Sequence, residues 1–451
     1  MTLAGYDTCM RSTTRLIHIL KLPYHYSLAL LGAVIFGFPS RQLTVIAVTG
    51  TKGKSSVVEL VGAILEEAGF KTASASTIHF KIGDKLERNL HKMTMPGRFF
   101  LQRFLRQAVR AGCTHAVIEM TSEGARQFRH KFVSLNALIF TNLSPEHIES
   151  HGSYEKYRDA KLSLARALQK SPKKNKILVV NGDDKEAEKF LNAFGGSKAV
   201  FSKQDAKNPV VTSEGVSFTW TSNVQVNSKL PGEFNLCNIL AAVTYAKAAG
   251  IPMQKIKSGI EKVKSIRGRA ERISLEVESS KFQGSQPDFS VIVDYAHTAD
   301  SLQKLYATYA GKYRICVLGN TGGGRDKWKR PVMGEIAEKY CDEIILTNED
   351  PYDEDPEQIL REMSVGIKHK IPHIILDRRA AIREALQKAN ESSPHFSPNA
   401  ANPNHQHDCV VLITGKGTDP YIMGPHGSRE PWDDATVVRE ELAKILASQN
   451  P

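Results

Sequence analysis

The chain has 451 residues, 41% of them hydrophobic and 24% charged, long enough for two or three domains with cores of their own and ordinary for a globular protein. Its formal net charge of +12 points to anionic partners, but Lys and Arg are interleaved with Asp and Glu, which argues for a solvated surface around a cationic site and against nucleic acid. Cys9, Cys113, Cys237, Cys316, Cys341 and Cys409 share no paired short spacing; neither a zinc site nor a disulfide framework is implied, and a reducing cytoplasm is the natural compartment.

In chain order, residues 1–42 contain the apolar run Leu28 to Phe38. A spanning helix needs roughly 20 apolar residues, so the run is too short to cross a bilayer. Arg11, Arg15 and Lys21 precede it, but Phe36-Gly37-Phe38-Pro39-Ser40 is not the small-residue cleavage site of a signal peptide. The run reads as a helix packed on the body, with peripheral membrane contact through 28–38 as the second reading.

Leu43 to Val48 is a β-branched apolar run typical of a buried parallel strand, and Ser55 to Ala68 places Val57, Val58, Val61, Ile64 and Leu65 at helical spacing. Between them lies Gly50-Thr51-Lys52-Gly53-Lys54-Ser55-Ser56. In a strand–glycine loop–helix, small residues let backbone N–H groups approach phosphate oxygens, the helix N-terminus faces the anion, the Lys spans the terminal phosphates and the next hydroxyl can hold Mg²⁺. Lys54 and Ser55 fit those roles, although the general pattern has a Gly where Val48 stands. A βα turn that merely needs glycines is the alternative.

Strand candidates Ala116 to Glu119, Ala137 to Thr141 and Lys176 to Val180 alternate with helical stretches such as Arg98 to Ala111 and Tyr154 to Gln169, which predicts a mostly parallel sheet. Val210 to Val226 alternates apolar and polar residues as an antiparallel edge would, and Phe234 to Ala249 returns to helix. A second βα series follows Gly268, with strands at Val291 to Val293, Arg314 to Leu318, Glu343 to Thr347, His373 to Leu376 and Cys409 to Thr414. Glu391 to Asp408 reads as a polar loop whose His395, His405 and His407 are solvated. The fold class is α/β: a phosphate-loop central domain over 43–267 with a mostly parallel sheet, then a Rossmann-like C-terminal domain over 268–451, after a short helical segment over 1–42.

Polar groups at the carboxyl ends of parallel strands are where such sheets bind ligands. Thr141-Asn142-Leu143-Ser144-Pro145-Glu146-His147 follows one strand, then His151-Gly152 and a helix carrying Lys161. A His beside a phosphate loop can bind Mg²⁺ or phosphate, or belong to a capping cluster. Glu119 is placed like an acid that holds nucleotide-bound Mg²⁺ from a neighbouring strand. Asn235 reads as the N-cap of the next helix, and Asn238, one turn on, calls for another role.

The ordered set GTKGKSS, EMTSEG, TNLSPEHIESHG with Lys161, NGDD at Asn181 to Asp184, PGEFNLCN, GRAER at Gly268 to Arg272, VDYAHT at Val293 to Thr298, GNTGGGRDKWKR at Gly319 to Arg330 and TGKG at Thr414 to Gly417 resembles the Mur ligase family, and within it the tripeptide synthetases. The resemblance implies an ATP-dependent ligase of peptidoglycan precursor synthesis: the γ-phosphate passes to a substrate carboxylate, and an amino acid attacks the acyl phosphate. It implies that Gly50, Thr51, Lys52, Gly53, Lys54, Ser55, Ser56, Asn142, Asn238, Arg269 and Asp294 surround ATP, with Lys54, Lys161, His147 and Arg269 catalytic. It further implies two Mg²⁺ ions, one on Ser55 and one supported by Glu119, His147 and a carbamylated Lys161, and closure of the domains before chemistry.

Substrate contacts implied by position are Thr94, Arg325, Glu349, Asp350, Tyr352, Gly415 and Asp419. Tyr352 replaces the arginine associated with diaminopimelate, while Glu349, Asp350, Asp353, Glu354 and Asp355 form an acidic cluster suited to a cationic side chain. Lysine or another diamino acid is the expected amino acid; a merely solvated acidic loop is the alternative. The expected acceptor is an anionic UDP-muramoyl-peptide type of molecule, although residues 1–42 are too few for the UDP-sugar domain with which such ligases begin. The expectation is thus a cytoplasmic, monomeric peptide synthase without a transmembrane span. A folylpolyglutamate-synthase-like glutamate ligase and a non-catalytic ATP-binding scaffold are the competing readings.

Overall fold

The computed structural model describes residues 23–146, 148–274, 287–324, 327–392 and 408–449. The described residues within 1–207, 220–224 and 237–262 form one compact unit, and those within 208–219, 225–236 and 263–451 form a second.

In the first unit a helix at 23–35 (α1) precedes β1 (Thr44–Thr49) and α2 (Lys54–Glu67). There follow β2 (Thr72–Ala75), β3 (His79–Ile82), β4 (Lys85–Arg88), α3 (Arg98–Arg110), β5 (His115–Glu119), α4 (Ser122–Arg126) and β6 (Ala137–Phe140). The series continues through α5 (Ile148–His151), α6 (Tyr154–Gln169), β7 (Ile177–Asn181), α7 (Ala187–Asn192) and β8 (Ser197–Phe201). These strands make an 8-stranded sheet in the order β4-β3-β2-β5-β1-β6-β7-β8. From β2 to β8 neighbours run parallel, as buried β-branched runs should. The β2-β3-β4 meander is antiparallel; its short, half-polar strands carry too weak an alternation to be read in the sequence.

β1 lies between β5 and β6, with Val48 opposite Glu119 and Thr49 opposite Phe140. The chain therefore leaves β1 at a point where the connections diverge to either side, and a crevice opens at the carboxyl ends. Helix α2 buries Val57, Val58, Leu60, Val61, Ile64 and Leu65. It is apolar on more than one face because the sheet covers one side and α9 (Met253–Lys262), after α8 (Glu233–Ala248), covers another.

Val210 to Val226 is not an edge of this sheet. Its residues enter a separate 3-stranded sheet of β9 (Lys207–Val211), β10 (Val216–Trp220) and β11 (Val224–Ser228). Alternation marks a one-sided strand but does not say which sheet it joins. Asn235 is not an N-cap either: α8 begins at Glu233, and the Asn235 Nδ2 donates back to the Pro231 carbonyl at 2.8 Å.

The second unit holds β12 (Glu271–Arg272), β13 (Ser290–Asp294), α10 (Ala299–Thr308), β14 (Tyr313–Leu318), α11 (Lys329–Tyr340), β15 (Glu343–Leu346), α12 (Pro356–Ser364), β16 (His373–Ile374), α13 (Arg378–Glu391), β17 (Cys409–Thr414), β18 (Tyr421–Met423), β19 (Arg429–Pro431) and α14 (Asp434–Gln449). Its 6-stranded sheet has the order β12-β13-β17-β14-β15-β16, with only β12 antiparallel to its neighbour. Helices cover both faces, giving one core with α13 and α14 and another with α10, α11 and α12.

The cysteine expectation is corrected in this core. Cys316 on β14 and Cys341, just after α11, form a disulfide with Cα atoms 6.0 Å apart. Their sequence separation of 25 matches no short motif, and only the βαβ turn brings them together. Cys113 and Cys409, both buried, and Cys237, half-buried, are in no disulfide, and Cys9 lies outside the described residues. No described helix is long and apolar enough to cross a membrane.

The α2–α9 contact depends on Gly259, where an added Cβ would stand 2.6 Å from the Ile64 Cα. Backbone cannot yield as a side-chain end can, so Gly259→Val will lower unfolding stability by about 1–3 kcal/mol in chemical denaturation. A variant as stable as the parent would show that these helices are not held at backbone contact.

Candidate active site

The first site is built on the turn from β1 to α2. Gly50 and Gly53 sit at φ 149° and 84°, conformations that favour glycine. Space requires it as well: a Cβ on Gly50 would lie 2.0 Å from Thr141 Oγ1, and one on Gly53 would lie 2.1 Å from Asn238 Oδ1. The loop is thus gripped by the end of β6 on one side and by α8 on the other, and Asn238 finds its role there.

Asn142 completes the grip. Its Oδ1 accepts from the Lys52 N–H at 2.9 Å and its Nδ2 donates to the Lys52 carbonyl at 3.1 Å, while the Thr51 N–H donates to the Asn142 carbonyl at 2.8 Å. Thr51 Oγ1 lies 2.9 Å from the buried Tyr157 hydroxyl on α6. Behind this layer Asn181 Nδ2 donates to the Thr141 carbonyl at 2.8 Å, and Asp184 accepts from the Leu143 N–H at 2.6 Å. The NGDD stretch therefore braces the segment that braces the loop.

At the start of α2, Ser55 Oγ donates to Glu119 Oε2 at 2.8 Å, and Lys54 Nζ lies 3.8 Å from Glu119 Oε1. Lys54 Nζ also donates to the Thr51 carbonyl at 2.8 Å. Thr77, which sequence reasoning missed, donates to Glu119 through its N–H at 3.0 Å and through its hydroxyl at 3.1 Å. The hydroxyl of Thr94 is 2.7 Å from that of Thr77, so Thr94 joins the same cluster. No motif flags Thr77; its position just after β2 is the signal available. Ser56 is buried behind Ser55, in the first turn of α2.

Lys161 is buried on α6, its Nζ donating to the Gly50 carbonyl at 2.6 Å and lying 4.9 Å from the Tyr157 ring centroid. Burial, with Lys54 nearby as a second cause, holds its pKa well below the ordinary lysine value. A neutral amine can act as a nucleophile toward CO₂, which an ammonium cannot. Lys52 Nζ is paired with Glu146 at 2.9 Å. His151 is buried, with its Nε2 3.1 Å from Ser122 Oγ. His147 lies outside the described residues, and among those described no group of three or more His, Cys, Asp or Glu side chains forms a metal cluster.

The donors suit a nucleotide phosphate with Mg²⁺: α2 begins at Lys54 with no side-chain cap, and Lys54, Ser55 and Glu119 gather at its N-terminus.

The second unit assembles its own polar crevice at the ends of β13, β14, β15 and β17. Asp294 accepts from the N–H groups of Ala270 and Ala296, each at 2.6 Å, and burial pushes its pKa up. Arg269 lies over the Tyr295 ring with Cζ 4.9 Å from the centroid, and donates to the Gly268 carbonyl at 2.8 Å.

The acidic cluster is mostly committed to structure. Lys416, fully buried, donates to Asp350 and Asp419 at 2.9 Å each and to the Tyr421 carbonyl at 2.5 Å. Burial pulls its pKa down, but the two carboxylates outweigh it and hold it above the ordinary value. Glu354 takes Arg330 at 3.0 Å and Lys327 at 3.1 Å, Asp355 caps α12, and Asp353 accepts from the His426 N–H at 2.7 Å. Glu349 differs. Its Oε1 accepts from Thr321 Oγ1 at 2.7 Å, while its Oε2 is buried with no hydrogen-bond partner among the described residues.

Gly415, at φ 104°, lets that carboxylate approach, since a Cβ there would be 2.6 Å from Glu349 Oε2. Tyr352 takes φ 53° and stands against Gly323 of the glycine loop. A buried pair of Arg378 and Asp434, at 2.8 Å, ties the start of α13 to α14 and to the Thr414 carbonyl. Arg325 lies outside the described residues. Lys416 and Arg378 were not singled out from the sequence; a lysine inside TGKG could have been.

Comparison with known proteins matches residues 48–246 to the Mur ligase middle domain and residues 279–417 to the Mur ligase, glutamate ligase domain. A UDP-N-acetylmuramyl-tripeptide synthetase of Roseiflexus sp. (strain RS-1) is 34% identical over 446 residues, covering 93% of this chain and 82% of the relative. Among solved structures, a UDP-N-acetylmuramoyl-L-alanyl-D-glutamate--2,6-diaminopimelate ligase superposes with TM-score 0.57 at 27% identity, covering 89% of this chain and 79% of that one. The Mycobacterium tuberculosis folylpolyglutamate synthase complexed with ADP shares the fold, with TM-score 0.64 at 16% identity over 98% of this chain and 99% of that one.

The burial of Lys161 is measurable in the free protein. Because its folded pKa is depressed below the ordinary 10.5, the unfolded chain holds more protons in the window between the two values, and stability rises with pH there. Lys161→Met will remove that rise and stabilise the protein at the acid end of the window, read from urea midpoints against pH. Identical pH slopes in the two proteins would mean that the amine is solvated.

Proposed function

The chain belongs to the Mur ligase family, and from that premise we propose that it adds a diamino acid to a carboxylate-ended UDP-N-acetylmuramoyl-dipeptide-like acceptor through an acyl phosphate. Mur ligases are ATP-dependent, Mg²⁺-using, amide-bond-forming enzymes of peptidoglycan synthesis, and this chain is one of them. The observation that carries the mechanism is the buried Lys161 amine against the Gly50 carbonyl, on the loop whose Lys54 and Ser55 share Glu119.

In this reading Lys54 would serve the β/γ-phosphates, Ser55 would hold the first Mg²⁺, and Glu119, with His147, would serve the second. ATP would supply the phosphoryl group that activates the acceptor carboxylate, and Mg²⁺ would offset its charge. Gly50 to Ser56 and Asn142 orient that group, and fixed cations offset the repulsion of anion against anion. The depressed pKa of Lys161 supports carbamylation, because the free amine gains CO₂ and becomes an anion suited to a metal. Thr94, through Thr77, keeps the Glu119 carboxylate in place. Asn238, Arg269 and Asp294 complete the nucleotide contacts. The expected compartment is the cytoplasm and the expected state a monomer.

The amino-acid preference rests on Glu349. With Asp350, Asp353, Glu354 and Asp355 engaged elsewhere, its Oε2 is the buried acceptor left for a side-chain ammonium. Arg325 is assigned to the α-carboxylate, while Gly415, Tyr352 and Asp419 line the same crevice. A folylpolyglutamate-synthase-like reading is favoured by one observation, the nearly complete mutual coverage with that fold. It calls for glutamate, which a buried carboxylate would repel.

Two tests follow. Phosphate release from ATP and Mg²⁺ with UDP-N-acetylmuramoyl-dipeptide, across lysine, ornithine, diaminopimelate and glutamate, will give the tripeptide mass with a diamino acid; extension of a folate by glutamate would sink the acceptor and leave the ligase chemistry. Lys161→Ala will lower kcat at least about 100-fold, and Glu349→Gln will lower kcat/KM for the diamino acid about 10- to 100-fold with little change in ATP affinity. Full ligation by Lys161→Ala would refute the carbamate role.

A further inference from the structure

Helix α1 is built inside out. Its inward stripe is made of small residues: Ala29 and Ala33 are 2% and 0% exposed, and Gly32 is buried where an added Cβ would lie 3.6 Å from the Phe99 Cα of α3. Its outward stripe carries the large ones: Leu30 is 39% exposed, Leu31 49%, Val34 55% and Ile35 59%. These recur at i, i+1, i+4 and i+5 and so line one helical face. A helix selected only to pack on its own protein would put leucines inward and small residues outward, because burying a large aliphatic side chain is worth about 1.5–3 kcal/mol. An outward stripe of this kind marks an interaction surface.

The charges carried by α1 and α3 are of one sign. No Asp or Glu occurs between Asp7 and Glu59, nor between Glu87 and Glu119. Helix α3, packed beside α1, carries Arg98, Arg103, Arg106 and Arg110. Arg106 donates to the carbonyls of Phe36 and Gly37 at 2.8 and 2.9 Å, and Arg98 bonds His25, which anchors both ends of α1 to the basic helix. Arg103 and Arg110 are exposed on the same stripe of α3 as Phe99. Arg41 lies over the Phe38 ring at 4.3 Å, at the C-terminal end of the stripe. Tyr24 and Tyr26 stand exposed at the other end, where tyrosines anchor helices at a membrane–water interface.

We propose that α1, flanked by the arginines of α3, is a peripheral anchor that lies in the surface of an anionic lipid bilayer. The described helix, 23–35, is too short to span, but an apolar stripe bordered by cations is the arrangement that settles at the headgroup boundary. A second copy of the chain suits the face less well, since a two-fold contact through α1 would bring the α3 arginines of both copies together. The anchor is argued independently of the ligase reading; taken together with that reading, it places the ligation at the membrane surface.

Vesicle co-sedimentation of the full chain tests it, using mixed phosphatidylglycerol–phosphatidylcholine vesicles against pure phosphatidylcholine. Binding to the mixed vesicles is expected to exceed binding to the neutral ones by about tenfold and to fall as salt is raised. L31E/I35E and R103E/R110E are each expected to weaken binding about tenfold or more, with thermal midpoint and soluble ATP-dependent phosphate release unchanged. The arginine pair keeps the test valid if the α1 variant folds poorly. Equal binding to the two vesicle types, or undiminished binding by the arginine variant, overturns the proposal. So does a wild-type dimer that L31E/I35E converts to monomer while vesicles bind neither, which assigns the stripe to a second copy.

Discussion

The first unit depends on keeping cations dry around a loop that has no side chains to spare. Lys161 is held under the Gly50 carbonyl, and Lys54 stands beside Glu119 at the mouth of α2. Burial, with Lys54 as a second cause, depresses the Lys161 pKa. Such a cluster favours an anion that brings its own charge to the α2 N-terminus, and a buried site of fixed donors needs little reorganisation when that charge arrives.

The surrounding structure serves that geometry. Thr141 and Asn238 approach the two glycines at distances that exclude any Cβ, so the loop cannot relax sideways. Asn142 and Thr51 bond it to the end of β6, and Asn181 and Asp184 hold the end of β6 in turn. A chain of backbone-directed hydrogen bonds thus runs from β7 to the phosphate-loop turn. Side chains that bond to backbone, rather than to each other, transmit position without rotamer freedom.

In the second unit opposite charges are matched almost completely. Lys416 with Asp350 and Asp419, Arg378 with Asp434, and Arg330 with Glu354 and Glu362 are buried or half-buried pairs. Breaking one partner would strand a charge, which is why such pairs hold a crevice in a defined shape even where they add little net stability. Against that balanced background the one-sided bonding of Glu349 stands out. The Cys316–Cys341 bridge lies beneath the same crevice, joining β14 to the segment entering β15.

Much of this was legible in order along the chain. Parallel strands announced themselves as β-branched runs, and β17 and α6 fell on the residues expected, Cys409–Thr414 and Tyr154–Gln169. The glycine loop, Lys54, Ser55, Glu119 and Lys161 could be named because chemistry demands those residue types at strand ends, whatever encloses them. What the sequence could not contain was choice among equivalent groups. Five acids sit within seven residues, and only the packing of Lys416, Arg330 and the α12 cap decides that, of these, Glu349 has an oxygen with no hydrogen-bond partner among the described residues. Thr77 follows an unremarked strand, and only the β2–β5 pairing brings it to Glu119. The apolar run in residues 28–38 predicted a helix, but not that its small residues face inward and its large ones outward, because periodicity alone cannot tell which of two apolar faces meets the body. Local pattern determined the elements and the reactive groups; burial and partner choice, which are pairwise and long-range, were decided by the tertiary structure.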